Sequence, residues 1–447
     1  MSAKPVGSGL GQVVSTQVQV PQVSLGDLPT ELILLILENG SYKEALSLSL
    51  TCRRFHSIAI DNLLWREYTR QDFPYQIRGF MPDVWIQQYR HIKTVQSNLR
   101  NGVSTKRTIQ GAHPQRITQV KGKMNGLCTG SSDGLIKVWR REISGMPVEL
   151  QSIPDSGDGI LALSPDQKKL VCGSDTQVQI LSRESIVEPF VLLQTLPGDG
   201  SKVKQVQIES DHVFSLAESN VLSLWKQDVE GVFHPSTTIQ NVSLFCLGGT
   251  FLFIRFTNDT TKVWKKDEAG VFAETSTVVE TTPSIEQQVT SLAYDGDLFM
   301  ADSIGAIKVF RKNESDQFQE SQSLNSGDFF DPATTMAFYN DCIFVGSLRG
   351  TVNMFVKRPD GQFHLVPPVE NQNHTDQVNS IAYRDGYLIT GSTDATAKIW
   401  ERNPDGTFRL ARTEPEENAI TCVGVERSQF VVGCSNGLIK VIDFTSQ

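Results

Sequence analysis

The chain is predicted to be multidomain: a small all-α segment near the N-terminus, followed by an all-β ring of repeated four-stranded sheets. Three observations predict this. A nine-residue phrase, Ser131-Ser132-Asp133-Gly134-Leu135-Ile136-Lys137-Val138-Trp139, is rewritten over Ser392–Trp400 and again over Cys434–Ile442. Fainter copies end at Leu181, Trp225, Trp264, Phe310 and Phe355, giving eight end points spaced 39 to 46 residues apart. A steady period of that length marks a repeat architecture. A phenylalanine also stands eight residues after five successive end points: Phe233, Phe272, Phe318, Phe363 and Phe408. Upstream of residue 71 the pattern is different, with short helical segments bounded by caps.

At 447 residues the chain has room for several domains and a sizeable core. A net charge of −9 speaks against a general binder of nucleic acid or anionic membrane. No apolar run approaches the ~20 residues of a membrane helix, and the N-terminus lacks a secretory pattern. Seven cysteines occur without a Cys-x-x-Cys pair. They read as small buried residues in a reducing compartment, not as a zinc site or disulfide framework.

Residues 1–23, rich in Gly, Ser, Gln and Val without periodicity, read as a disordered tail. Gly7-Ser8-Gly9-Leu10-Gly11 follows no strand and opens no helix, so it is not a phosphate loop. Thr30–Glu38 carries six consecutive apolar residues, Leu32 to Leu37, and stops before Gly40. A helix apolar all round must be covered on every side, by a partner or by the rest of the chain. Ser41 and Glu44 form a capping box for the next helix. Two more helices are expected over Thr51–Ile60 and Asp61–Arg70.

Leu28-Pro29-Thr30-Glu31-Leu32, Ile36-Leu37, Cys52-Arg53-Arg54-Phe55 and Leu64-Trp65 together resemble an F-box, spanning residues 24–70. The resemblance implies docking on the small adaptor of SCF-type cullin ubiquitin ligases, with Leu28, Pro29, Leu32, Ile36, Leu37 and Trp65 as contacts. Thr51 departs from the hydrophobic residue usual before the cysteine. Residues 71–103 read as a helical linker. Its helix runs from Pro82 to Leu99, with Trp85, Tyr89, Ile92 and Leu99 on one face and Asn101-Gly102 as the stop. This stretch resembles the linker of F-box proteins that carry WD40 propellers, which implies a rigid spacer.

From residue 104 each unit offers four strands. In the clearest, Ser380–Tyr383 turns at Asp385-Gly386 into Tyr387–Gly391; a turn at Asp394 leads to the third strand, and the fourth carries the repeated Phe. Third strands such as Leu135–Trp139 are apolar on both faces, as strands sandwiched between neighbouring sheets are. Four strands repeated radially make a β-propeller. Eight blades are expected, or seven if the weak copy at Ile160–Leu181 is misread. The last copy lacks a fourth strand, and Ser104–Gln110 is placed to supply it and close the ring.

The repeats resemble WD40 units. The resemblance implies a buried network of His113, Ser131, Asp133 and Trp139 in the first copy, and His374, Ser392, Asp394 and Trp400 in the seventh. At the Asp position the other copies carry Ser219, Asn258, Ile304, Arg349 and Asn436, so packing must hold those blades. Basic pairs at Arg140-Arg141, Lys265-Lys266, Arg311-Lys312 and Lys357-Arg358 read as solvated hairpin turns. On the top face, relatives that read phosphopeptides place arginines where this chain has Lys204, Thr290, Asn379 and Thr393. These four are the expected target contacts, and a multi-arginine phosphate reader is not expected.

No histidine is grouped with carboxylates or cysteines at metal-ligand spacing, and no nucleophile elbow or P-loop appears. The expectation is a non-enzyme without metal or cofactor: a substrate receptor of an SCF-type ligase, binding the adaptor and a target protein. The alternative is an interaction scaffold that recruits no ligase. Its expected location is cytoplasmic or nuclear, or the host cytosol if the source is an intracellular bacterium.

Overall fold

A computed structural model describes residues 25, 28–75, 84–123, 126–141, 147–154, 159, 162–165, 168–174, 176–185, 188–278, 289–302, 306–325, 331–339, 341–366, 372–426 and 429–445. The expected tail, the Gly7–Gly11 stretch and Pro82 lie outside them. The chain divides into two compact units: Met1–Asp72 with Pro82–Tyr89, and Phe73–Met81 with Arg90–Gln447.

The first unit is helical. α1 (Thr30–Glu38), α2 (Tyr42–Ser49), α3 (Arg53–Ala59) and α4 (Asn62–Asp72) fall where the caps and apolar runs place them. The capping box forms, with Ser41 N–H donating to Glu44 Oε2 at 2.6 Å. A Cβ on Gly40 would lie 2.5 Å from that same carboxylate oxygen. A side chain there would therefore only have to push the end of Glu44 aside, and the backbone at Gly40 is not left-handed. The core centres on Ile33, Leu37, Leu64, Trp65 and Tyr68. Trp65 stands edge-on to Tyr68 and Tyr89, and its indole N–H donates to Ala59 O at 2.7 Å.

The second unit is the ring. Eight four-stranded sheets are present, each an antiparallel meander, so the eight-bladed count holds. The weak copy forms a true blade 2 over Ala162–Pro197. Blade 8 takes its outer strand from the start of the ring: Thr105–Ile109 pairs antiparallel with Ile439–Asp443, from Thr105 opposite Asp443 to Ile109 opposite Ile439. The Asp385-Gly386 hairpin has positive φ at both residues, 50° and 80°, which is why Asp-Gly serves there. α5 (Trp85–Asn101) ends as expected before Gly102, whose φ is +72°. Within the second unit, Val95 and Leu99 of α5 join a cluster with Tyr387, Ile389, Phe430 and Phe444, and Asn98 donates to Phe444 O at 2.8 Å.

The repeated phenylalanine has a specific job. Phe272, Phe318, Phe363 and Phe408 each stand edge-on to a phenylalanine on the second strand of the preceding blade: Phe214, Phe253, Phe299 and Phe344. Edge-to-face aromatic pairs add about 0.5–1.5 kcal/mol each beyond area burial. Glutamines add a second interblade tie. Gln151, Gln194 and Gln322 each donate to and accept from the backbone of the next blade's Phe190, Phe233 and Phe363, at 2.6 to 2.9 Å. These devices hold together blades that lack the His-Asp network.

Candidate functional site

The helical unit leaves one apolar face open. On α1, Leu32, Leu35 and Ile36 are 47%, 54% and 51% exposed, while Ile33 and Leu37 face inward. Leu46, Leu50, Ile60 and Leu63 add further exposed aliphatic surface on the other helices and their ends. Of the two covers open to α1, the rest of the chain supplies only part, because a four-helix unit this small can shield only one side of it. Of the six expected adaptor contacts, Leu32, Ile36 and Pro29 are exposed and Leu28 is half-buried. Leu37 and Trp65 are corrected: both are buried, and they support the face from beneath. Tyr68 donates to Leu37 O at 2.6 Å, and burial followed by nearby carboxylates pushes its phenol up to about 12. Arg54 donates to Leu28 O at 2.5 Å, pinning the bend that leads into α1.

The network positions of blades 1 and 7 assemble with one correction each. His113 Nδ1 lies 3.0 Å from Asp133, while its Nε2 meets Thr129 Oγ1 at 2.9 Å. Trp139 donates to that hydroxyl at 3.0 Å. Blade 7 repeats this, with Thr390 Oγ1 2.8 Å from His374 Nε2 and 3.3 Å from Trp400 Nε1. The hydroxyls inside the networks thus belong to Thr129 and Thr390. Ser131 and Ser392 instead hold the turn, donating to Gln115 O and Asp376 O and accepting from Asp133 N–H and Asp394 N–H. Residues two apart share a strand face, so the sequence alone could not separate the two. Register decides, because Trp139 sits opposite Leu127 and Trp400 opposite Leu388, nearer the threonines. Burial holds both histidines below their ordinary range, against the pull of Asp133 and Asp394. Asp394 is itself held low: burial alone would raise it, but the Thr396 hydroxyl and Thr375 N–H bind its oxygens. Thr390→Val should therefore cost about 1–3 kcal/mol in a denaturant titration, because the buried Trp400 N–H loses its acceptor.

Blade 6 shows what replaces the network. Arg349 occupies the turn, and a buried Asp331 ahead of the inner strand takes the carboxylate's part, accepting from Arg349 N–H at 2.8 Å and Thr351 Oγ1 at 2.6 Å. This residue was missed; its only signal was an aspartate directly before the strand.

Three of the four expected target contacts, Lys204, Thr290 and Asn379, are bulge residues. Seven inner strands each shift register near their start, leaving Thr118, Lys204, Ser243, Thr290, Thr334, Asn379 and Thr421 as the extra residue. A bulge leaves ladder groups without their usual partners, and short polar side chains can return a bond to them. Thr290 donates to Ala301 O at 3.4 Å. Thr334, Asn379 and Thr421 donate across to the next blade, at Val378 O, Ile420 O and Ile117 O, over 2.6 to 2.7 Å. Thr290 and Thr393 are exposed and Asn379 is half-buried, and Thr393 accepts from Asn379 at 2.9 Å. Lys204 is exposed and donates to Asn220 at 3.2 Å.

The basic pairs also differ from expectation. Lys312 and Lys357 pair with Asp316 and Asp297 at 2.9 Å, and Lys265 also pairs with Asp316. Lys265–Asp316 and Lys357–Asp297 each cross from one blade to its neighbour. Lys265, Lys357 and Arg311, which donates to Gly361 O, therefore tie neighbouring hairpins together, while Lys312 pairs within its own hairpin. Among the described residues no His, Cys, Asp and Glu grouping fits a metal ion.

Comparison with known proteins agrees with this architecture. The F-box-like family matches residues 25–71, and the WD domain, G-beta repeat family matches residues 367–401. F-box/WD repeat-containing protein 7 of Drosophila melanogaster is 31% identical over 142 residues, 29% of this chain and 11% of that protein's length. The ring superposes on solved structures of Sqt1 from Chaetomium thermophilum (TM-score 0.60, 15% identity, 75% of this chain and 97% of that one). The computationally designed Ika8 protein gives a TM-score of 0.59 at 20% identity, over 75% and 98% of the two chains. At such identities the likeness speaks to the fold alone. The chain thus carries an F-box-like segment at residues 25–71 ahead of an eight-bladed propeller that contains a WD repeat at residues 367–401.

Proposed function

We propose that the chain is a non-catalytic substrate receptor of an SCF-type cullin ubiquitin ligase. The helical unit docks on the ligase adaptor, and the propeller holds a target protein for ubiquitin transfer. The observation that carries this reading is the open apolar face of Leu32, Leu35 and Ile36 on a unit too small to cover it. Burying each such side chain fully against a partner contributes about 1.5–3 kcal/mol, which explains why so much aliphatic surface is kept in water. The F-box-like match over the same residues supports the partner's identity. A reducing location, cytoplasm or nucleus, suits seven free cysteines, six of them buried.

Co-expression with the adaptor tests the reading. The intact chain should retain the adaptor through purification. The Leu28→Ala, Pro29→Ala, Leu32→Ala variant should lose it while keeping its thermal transition. Equal adaptor recovery with the variant sinks the docking surface. No recovery with the intact chain favours the scaffold.

A further inference from the structure

A propeller exposes the outer strand of every blade as a sheet edge, and natural sheets guard such edges against stray pairing with charge, proline or shortness. Seven of the eight outer strands here are guarded. Blade 1 has Glu149 within Pro147–Pro154, blade 3 has Pro235 within Phe233–Ile239, and blade 4 has Glu274 within Phe272–Thr277. Blade 5 has Glu320 within Phe318–Asn325, and blade 6's Phe363–Val366 is only four residues long. Blade 7 carries Arg409, Arg412 and Glu414 within Phe408–Pro415, and the closing strand Thr105–Ile109 carries Lys106 and Arg107.

Blade 2 is the exception. Its outer strand, Val191–Pro197, reads Val-Leu-Leu-Gln-Thr-Leu-Pro and has no charge; its one proline is the last residue, past the stretch that could pair. Val191, Leu192 and Leu193 are 64%, 57% and 43% exposed. Among the described residues its ladder runs only on the inner side, to Gln177–Ser182, with a bulge at Leu193 like those in the outer strands of blades 1, 3, 4, 5 and 7, while the Gln194 side chain reaches the Phe233 backbone of blade 3. Exposed Val148 lies on the outer strand of adjoining blade 1 and extends the apolar character around the rim.

We propose that Val191–Pro197 takes an extended, uncharged, apolar segment of a partner protein as a fifth strand of blade 2. The free backbone edge selects an extended main chain, and the absence of charge selects against acidic or basic segments. A second copy of this chain is the poorer occupant. Seven residues span about 23 Å, and two rigid rings meeting along so short an edge bury far less than the about 1,000 Å² of a lasting dimer. A flexible strand needs no such area, since it can lay side chains on both sides of the edge. The inference goes beyond the ligase reading and does not depend on adaptor binding.

The test uses the full chain and a fluorescent peptide of alternating valine and threonine with a short glycine-serine tail and a blocked, uncharged group at each end. The expected result is saturable binding that weakens about tenfold or more with Leu192→Lys, or when alternate peptide amides are N-methylated. Leu192 is mostly in water, so the variant should unfold at the same temperature as the parent chain. Absence of saturable binding, binding indifferent to Leu192→Lys, or equal binding of the N-methylated peptide each overturns the proposal. So does a dimer in sedimentation that Leu192→Lys dissociates, because the occupant is then a second copy.

Discussion

Asp341→Ala should cost the propeller about 3–5 kcal/mol, the range for stripping one partner from a buried ion pair. Arg402 of blade 7 is 2% exposed, and its Nη2 lies 3.0 Å from Asp341 of blade 6. Its guanidinium also lies 3.6 Å from the ring centre of Tyr75, within the same compact unit. Burial opposes the arginine's charge, and the Asp341 bond more than offsets it, holding the group above its usual range. Nε already has no hydrogen-bond partner. Removing the carboxylate therefore strands a full charge in the wall between two blades. The asymmetry makes the prediction sharp. Arg402→Met removes the cation and fills the space, so it should be far milder, and it should rescue most of the loss in the Asp341→Ala background. Denaturant titration of the four proteins decides. Additive losses in the double variant would show that the pair is not what holds this boundary.

Prolines at both Arg107 and Thr108 should open the ring. These residues lie opposite Val441 and Lys440 in the pairing that joins the first strand of the unit to the last. Successive strand N–H groups point to opposite sides, so one of the two prolines must remove a ladder bond and clash at the seam, at a cost of about 3 kcal/mol or more. The loss spreads further, because Ile439 and Val441 belong to the apolar cluster that joins blade 8 to blade 1 through Ile117, Val120 and Trp139. Amide exchange reads the outcome. In the parent chain Ile439–Asp443 should be protected like the other third strands; in the variant the amides that face Thr105–Ile109 should exchange freely, while those paired with Gln429–Cys434 stay protected. Unchanged protection would mean the seam contributes nothing to closure.

Much of this architecture is legible from the residues alone because a repeat states the same requirement eight times. The anchor spacing, the Asp-Gly turns and the missing final strand together specify a closed ring of eight, and the capping box and apolar run specify the helical unit. The site was less legible. Which half of α1 faces water depends on what α3 and α4 cover, and a run of six apolar residues carries no sign of it. Leu37 and Leu32 look alike in sequence and end on opposite sides. Thr129 and Ser131 share a strand face, and only the cross-strand position of Trp139 chooses between them.

The sequence by itself determined the period, the blade count, the closing strand and the presence of a helical segment too apolar to stand in water on every side. Tertiary structure alone decided how individual side chains are used. It placed Lys204, Thr290 and Asn379 at bulges, turned basic hairpins into interblade pairs, and left Val191–Pro197 as an apolar outer strand without charge. The reason is one of range. Periodicity and turn chemistry are local and repeat along the chain, whereas burial, pairing and exposure depend on which distant strand arrives beside each residue.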